Sequence, residues 1–309
     1  MIKPKKLEYG NTIGVVATSS PADREKVLRA KGELERLSFK VKLMPSCFEV
    51  HGYLSGSDQL RADDLNSLFA DKDVDGIICL RGGYGSTKIL GKVDFDLIKA
   101  NPKVFVGYSD ITALHISMNQ FSNLVTFHGP MLAADMPTGL DEFSKTELLR
   151  AITDPSPMGP INNPVGIKIH TLVGGKATGI IAGGNLALIA ATMGTPYEID
   201  TKDKLLFLEE IGEEPYRVDR MLTQLALAGK FDDAAGIILG DWNNCEASKH
   251  KVSLTLMEVF REIIVPFNKP TIFDLKAGHC NPKVTLPFGV KATLYADAGQ
   301  LTIEEGATL

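Results

Sequence analysis

The 309-residue chain is poor in the features that mark special environments. Its four cysteines, Cys47, Cys79, Cys245 and Cys280, form no C-x-x-C pair, so neither a disulfide framework nor a zinc site has its pattern. The six histidines, His51, His115, His128, His170, His250 and His279, show no H-x-x-x-H spacing, which argues against a histidine-held metal. No window approaches the roughly 18 apolar residues of a membrane span. The N-terminal apolar stretch Ile13–Ala17 is too short for a signal-peptide core, and the expectation is a cytoplasmic protein. A net charge of −5 without any basic cluster beyond Lys3, Lys5 and Lys6 leaves no footprint for nucleic acid. Internal repeats are absent, and there is a single tryptophan, Trp242.

What is present is an ordinary globular composition, 44% hydrophobic and 23% charged. At roughly 150 residues per domain the length suggests two domains. The first half alternates short apolar runs (Thr12–Ala17, Lys40–Met44, Gly76–Leu80, Val104–Val106) with helical stripes such as Val27, Ala30, Leu34 and Leu37. That alternation predicts an α/β domain over 1–150, a mainly parallel, Rossmann-like or flavodoxin-like sheet with helices on both faces. Residues 136–166 are rich in proline, with a short helix expected over Asp141–Ile152, and 151–166 read as a linker. Residues 167–309 predict a smaller mixed α+β domain: a hairpin across Gly174-Gly175, a strand over Lys204–Leu208, a helix over Pro215–Leu227, strands near Ala235–Leu239 and Thr271–Leu275, and a closing hairpin.

Chemistry is most visible in Val104-Phe105-Val106-Gly107-Tyr108-Ser109-Asp110-Ile111, where an apolar strand runs into Gly-x-Ser and then a helical pattern. This is the context of a nucleophile elbow. Ile111 stands where the full G-x-S-x-G would have its second glycine, so Ser109 reads either as a nucleophile or as a helix N-cap. A serine nucleophile needs a base. His279 is the best placed histidine, in the loop Ala277-Gly278-His279-Cys280-Asn281-Pro282 after a strand. His128 could face a cleft, His115 reads as packed or solvated on a helix, His170 lies in the expected hairpin, and His250 in an exposed loop. A histidine base needs an orienting carboxylate, and Glu209-Glu210 follow an apolar strand, although both also fit a solvated turn. The run Arg81-Gly82-Gly83-Tyr84-Gly85 offers backbone N–H groups to an oxyanion, as does Asp110 after the serine. The same run lacks a Walker lysine and does not complete G-x-G-x-x-G, since Lys88 takes the third position, which disfavours a nucleotide phosphate site.

Six segments occur together in order: Arg81–Gly85, Gly107–Asp110, His128-Gly129-Pro130, Gly183-Gly184-Asn185-Leu186, Leu208-Glu209-Glu210 and Gly278–Pro282. In these the chain resembles the LD-carboxypeptidases of serine peptidase family S66, which include muramoyltetrapeptide carboxypeptidases and the microcin-C immunity peptidase. The resemblance runs over nearly the whole chain. It implies a Ser–Glu–His triad at the interface of two domains, usually in a homodimer, working without metal or cofactor. Carried over by position, Ser109 is the nucleophile, His279 the base and then acid, and Glu209 the orienting carboxylate, with Glu210 as runner-up. The amides of Gly83 and Asp110 match the oxyanion hole, and Arg81 is either a partner for a substrate carboxylate or a structural charge. The implied reaction removes terminal D-Ala from small murein tetrapeptides. The alternatives are an immunity-like peptidase acting on peptidyl or aminoacyl nucleotides, for which a lone Trp242 leaves little aromatic material, and a non-catalytic sensor binding peptides or sugars in a cleft.

Overall fold

The computed structural model describes residues 1–247 and 252–309; the expectation for His250 lies outside them. Two compact units emerge. The first holds Met1–Ser156, Thr285–Gly289 and Gly306–Leu309, and the second Pro157–Val284 and Val290–Glu305. The strands are β1 (Thr12–Val16), β2 (Lys40–Leu43), β3 (Gly76–Cys79), β4 (Val104–Gly107), β5 (Thr126–His128), β6 (Gly159–Ile161), β7 (His170–Val173), β8 (Lys176–Asn185), β9 (Lys204–Ile211), β10 (Gly236–Asn243), β11 (Thr271–Phe273), β12 (Leu286–Phe288), β13 (Lys291–Tyr295) and β14 (Gln300–Ile303).

The first unit is an α/β layer structure on a six-stranded sheet ordered β12-β5-β4-β3-β1-β2. The run from β2 to β5 is parallel throughout, in the 2-1-3-4-5 order of flavodoxin-like folds. Every residue of β3 and β4 is buried, as helices on both faces of a parallel sheet require. By contrast β2 exposes Lys40 and Lys42, charges that blunt an edge. The flanking helices begin where their caps dictate. Asp23 accepts the amides of Glu25 and Lys26 at the start of Arg24–Arg36, and Ser57 accepts that of Leu60 at the start of Asp58–Ala70. Antiparallel β12, with Leu286 opposite His128, completes the sheet from nearly 160 residues downstream.

The second unit is built on an eight-stranded sheet ordered β6-β14-β13-β8-β9-β10-β11-β7. Its centre, β8 to β11, is parallel, and both margins are antiparallel. The helix Pro215–Leu227 lies where the sequence pattern puts it, with Val218, Leu222 and Leu225 buried.

Three local expectations change. First, β7 and β8 do not form a hairpin: β7 pairs with β11, and β8 with β13 and β9. Of the two connecting glycines only Gly175 has positive φ (+114°). The tight hairpin turns need positive φ at the first central residue, or at both, and here the turn is tied instead to Asp297, whose carboxylate accepts the amide of Gly175 at 3.1 Å. Second, residues 151–166 are not all linker: the expected helix runs Glu142–Thr153 as anticipated, but β6 belongs to the second sheet. Third, β9 continues past Leu208 through Ile211, so Glu209 and Glu210 are strand residues, not turn residues.

Candidate active site

In the first unit the loops after β1, β3 and β4 meet at the carboxyl end of the sheet, beside the point where strand order reverses and where open α/β sheets bind ligands. β4 delivers Ser109 into a short 3₁₀ turn, Ser109–Ile111, that leads into the helix Thr112–Phe121. Ser109 has φ of +64°, a conformation that non-glycine residues adopt rarely and at a cost of about 1–3 kcal/mol. Its N-cap alternative is not realised, since the helix is entered from Ile111 with no side-chain cap.

Asp110 points away from solvent and holds the loops in register. Its Oδ2 accepts Ser19 Oγ at 2.5 Å and the amide of Ser86 at 2.7 Å, and Ser19, Ser86 and Asp110 are all buried. Gly82 passes directly over the serine: a Cβ there would stand 2.8 Å from Ser109 Cβ, 2.9 Å from Ser109 Oγ and 3.3 Å from the Asp110 nitrogen. Any other residue would fill the space in front of the hydroxyl. Gly83 is pressed against Ser20, whose Oγ would be 2.3 Å from an added Cβ, and the same hydroxyl accepts the amide of Tyr84 at 3.2 Å. Arg81 donates to the carbonyl of Pro21 at 3.3 Å. Beneath the loop the fully buried Arg61 donates to the carbonyls of Thr18 and Gly85 and pairs with Asp58.

In the second unit Glu209 and His279 are brought together. Glu209 is fully buried in β9, and its Oε2 accepts the Nδ1 proton of His279 at 2.6 Å and the His279 backbone amide at 3.3 Å. A carboxylate at Nδ1 fixes the tautomer that makes Nε2 the acceptor nitrogen, and stabilises the imidazolium when Nε2 takes a proton. Gly278 makes this approach possible. It has φ of +112°, and a Cβ on it would lie 2.5 Å from Glu209 Oε2. The loop is pinned from behind: Asn243 Nδ2 donates to the carbonyl of His279 at 2.7 Å, Asp241 N to Ala277 at 3.0 Å, and Lys276 pairs with Asp241 at 2.6 Å.

Glu210, the neighbouring acid, faces the opposite side of β9 and does other work. It accepts Asn185 Nδ2 at 2.9 Å and the amides of Ala187 and Ile211 at 2.7 and 2.8 Å. Burial pushes its carboxyl up to about 7, with the charge of Glu209 adding to the rise and the three donors opposing it. Of the two acids, Glu209 makes the histidine contact.

Three other histidines, His115, His128 and His170, make packing contacts. His115 is buried, its Nε2 is 2.8 Å from the carbonyl of Gly107, and burial lowers its pKa to about 4. His128 does not face a cleft; it is buried in β5 against Phe288 and Tyr108, with ring centroids 5.3 and 5.9 Å away. His170 stacks on Phe273 on an exposed strand. All four cysteines are free, and burial pushes the thiol of Cys280, beside His279, up to about 12. Among the described residues no group of His, Cys, Asp and Glu could hold a metal ion, and no helix is long and apolar enough to cross a membrane.

Several contributors were not singled out from sequence: Ser19, Ser20 and Ser86, which hold the loops around Asp110, and Asn243, which holds the His279 carbonyl. The first two were visible only as a polar loop after β1, and nothing local signals which distant residue they bind.

A strained serine at a strand–helix turn, and a histidine oriented by a buried carboxylate, are the parts from which serine hydrolases are built. Residues 13–129 match the LD-carboxypeptidase N-terminal domain and residues 178–294 the LD-carboxypeptidase C-terminal domain of peptidase family S66. The chain is 42% identical to a probable murein peptide carboxypeptidase of Bacillus subtilis, over 99% of this chain and 95% of that one. It is 28% identical to the microcin C7 self-immunity protein MccF of Escherichia coli, over 97% and 94%. Among solved structures, wild-type MccF superposes with a TM-score of 0.93 at 26% identity over the full length of both chains. A muramoyltetrapeptide carboxypeptidase from Oxalobacter formigenes superposes with a TM-score of 0.84 at 28% identity, over 95% and 98%. The chain belongs to the LD-carboxypeptidase family S66 and is a serine carboxypeptidase of that family.

Proposed function

We propose that the protein removes the terminal D-Ala from murein tetrapeptides by an acyl-enzyme route, with Ser109 as nucleophile, His279 as general base and acid, and Glu209 as the orienting carboxylate. The observation that carries this reading is the 2.6 Å hydrogen bond between His279 Nδ1 and buried Glu209, in a chain 42% identical to a probable murein peptide carboxypeptidase.

In this mechanism Ser109 Oγ attacks the carbonyl of the amide joining the L-centre of the third stem residue to D-Ala, and its proton passes to His279 Nε2. The oxyanion is met by the amides of Gly83 and Asp110. His279 then protonates the nitrogen of D-Ala as the C–N bond breaks, leaving an ester on Ser109. Water, deprotonated by His279, attacks that ester; as the C–O bond breaks His279 returns the proton to Ser109 Oγ, freeing the tripeptide and the serine. Arg81, at the base of the glycine loop, is assigned the substrate carboxylate. The reaction requires no metal or cofactor. Its substrates are recycled wall fragments in the cytoplasm, and the working form is a homodimer, which light scattering on the purified protein tests.

The direct test is incubation of the purified protein with muramoyl tetrapeptides carrying diaminopimelate or lysine at the third position, with mass spectrometry for loss of one alanine. Absence of the tripeptide product from both would overturn the assignment.

A further inference from the structure

We propose that Tyr53 and Tyr84 form a subsite for the sugar ring of the muropeptide, registered to Ser109 through the dipeptide Ser19-Ser20; the proposal rests on the murein-peptide reading above and extends it to the sugar. These two are 68% and 48% exposed, and apolar surface gathered in one exposed patch marks interaction sites where scattered residues do not. They lie against each other, with ring centroids 5.8 Å apart and planes tilted by 50°.

Both rings stand on backbone tied to one place. Tyr53 sits on a tight turn closed by reciprocal hydrogen bonds between His51 and Leu54, and the next residue, Ser55, donates its amide to the Ser19 carbonyl at 2.9 Å. Tyr84 donates its own amide to Ser20 Oγ at 3.2 Å. Ser19 in turn holds Asp110, the residue after Ser109, at 2.5 Å. Two loops from different parts of the chain therefore have their backbones tied to the segment that holds Asp110, which preorganises the surface they form.

The ring chemistry selects the ligand. A planar base binds best in a parallel slot, whereas two rings at 50° form an open corner whose faces meet the C–H groups of a puckered pyranose, with the phenol hydroxyls available to its oxygens. The reach agrees. Between the scissile bond and the lactyl sugar lie three stem residues, about 10 Å when extended. Tyr84 lies two residues beyond Gly82, where an added Cβ would stand 2.8 Å from Ser109 Cβ, so its Cα is within about 7 Å of the Gly82 Cα, inside that span.

The test compares kinetics on N-acetylmuramoyl tetrapeptide and on the sugar-free tetrapeptide. The wild-type protein should prefer the sugar-bearing substrate in kcat/KM. Tyr53→Ala should raise KM for that substrate about three- to tenfold with kcat little changed, so that the ratio of the two specificity constants falls toward one; Tyr53→Phe should keep most of the ratio. A wild-type ratio of one, or a ratio unmoved in the Tyr53→Ala/Tyr84→Ala double variant, overturns the subsite while leaving the peptidase reading intact. Calorimetric titration of N-acetylmuramoyl tetrapeptide into Ser109→Ala, with and without Tyr53→Ala, reads the same loss without turnover. If neither tetrapeptide is cleaved but that tyrosine-dependent affinity is present, the cleavage reading fails and the subsite stands. Tyrosine-dependent binding of adenosine monophosphate as tight as that of N-acetylmuramic acid overturns the assignment to sugar.

Discussion

Replacing Gly278 by alanine tests how the second unit sets its histidine. In the native loop the Gly278 backbone rides on Glu209, and a methyl group there would sit 2.5 Å from Oε2 and 2.8 Å from Cγ. Ordinary contact needs close to another ångström, and neither side yields readily. Glu209 is fully buried in β9, and the loop is held by Asn243 on the His279 carbonyl and by Asp241 on the Ala277 carbonyl. The φ of +112° adds strain of about 1–3 kcal/mol for an L-residue. The loop should therefore lift by about 1 Å at the Nδ1–Oε2 contact, and a misplacement of that size costs about 100-fold in turnover. Steady-state hydrolysis of a muramoyl tetrapeptide should show kcat reduced about 100-fold with KM nearly unchanged, and Tm lowered by a few degrees. Combined with Glu209→Gln, the losses should be strongly sub-additive, because both changes break one contact. A Gly278→Ala protein with kcat within threefold of wild type, or fully additive losses, would refute the coupling.

Other outcomes follow from the same geometry. Ser109→Ala should lower kcat by roughly four to six powers of ten with Tm maintained; near-normal turnover would remove Ser109 from its role. Glu209→Gln should cost about 10⁴ in kcat, and Glu210→Gln far less, since of the two acids it is Glu209 that bonds His279; equal losses would sink the distinction. His115 titrates near 4 when folded and near 6.5 otherwise, so the unfolded chain binds more protons between those values. Its contribution, about 3 kcal/mol, is present above pH 6.5 and lost as pH falls to 4, and His115→Gln should flatten that acid limb of the urea midpoint. Glu210 acts with the opposite sign. Its folded pKa of about 7 lies above the ordinary 4.5, so stability declines as pH rises through that window, and the Tm deficit of Glu210→Gln should shrink between pH 5 and pH 8.

Much of the architecture was legible because it is written in short-range pattern. The central strands of the first sheet are runs of buried Val, Ile and Phe, and helices between the strands carry caps at Asp23 and Ser57. The serine was legible too, since Gly-x-Ser between an apolar strand and a helical stripe is a local signal. What could not be read was pairing at a distance. Strand β12 is three residues long with a proline in its middle, and its membership of the first sheet depends on β5 lying within reach. The hairpin expected at Gly174-Gly175 failed because the hydrogen-bond partners that capture Gly175 are Ala296 and Asp297, over a hundred residues away.

The sequence by itself determined the class of the chain, the alternation that builds the first sheet, and the residue types that carry the chemistry, because periodicity, capping and turn composition are local. Choosing between Glu209 and Glu210 needed tertiary structure. Adjacent residues on a strand face opposite sides, and only the position of the His279 loop decides which side meets the imidazole. It was likewise the fold that gave Gly278 and Gly82 their meaning, since what a missing side chain makes room for is known only when its neighbours are in place.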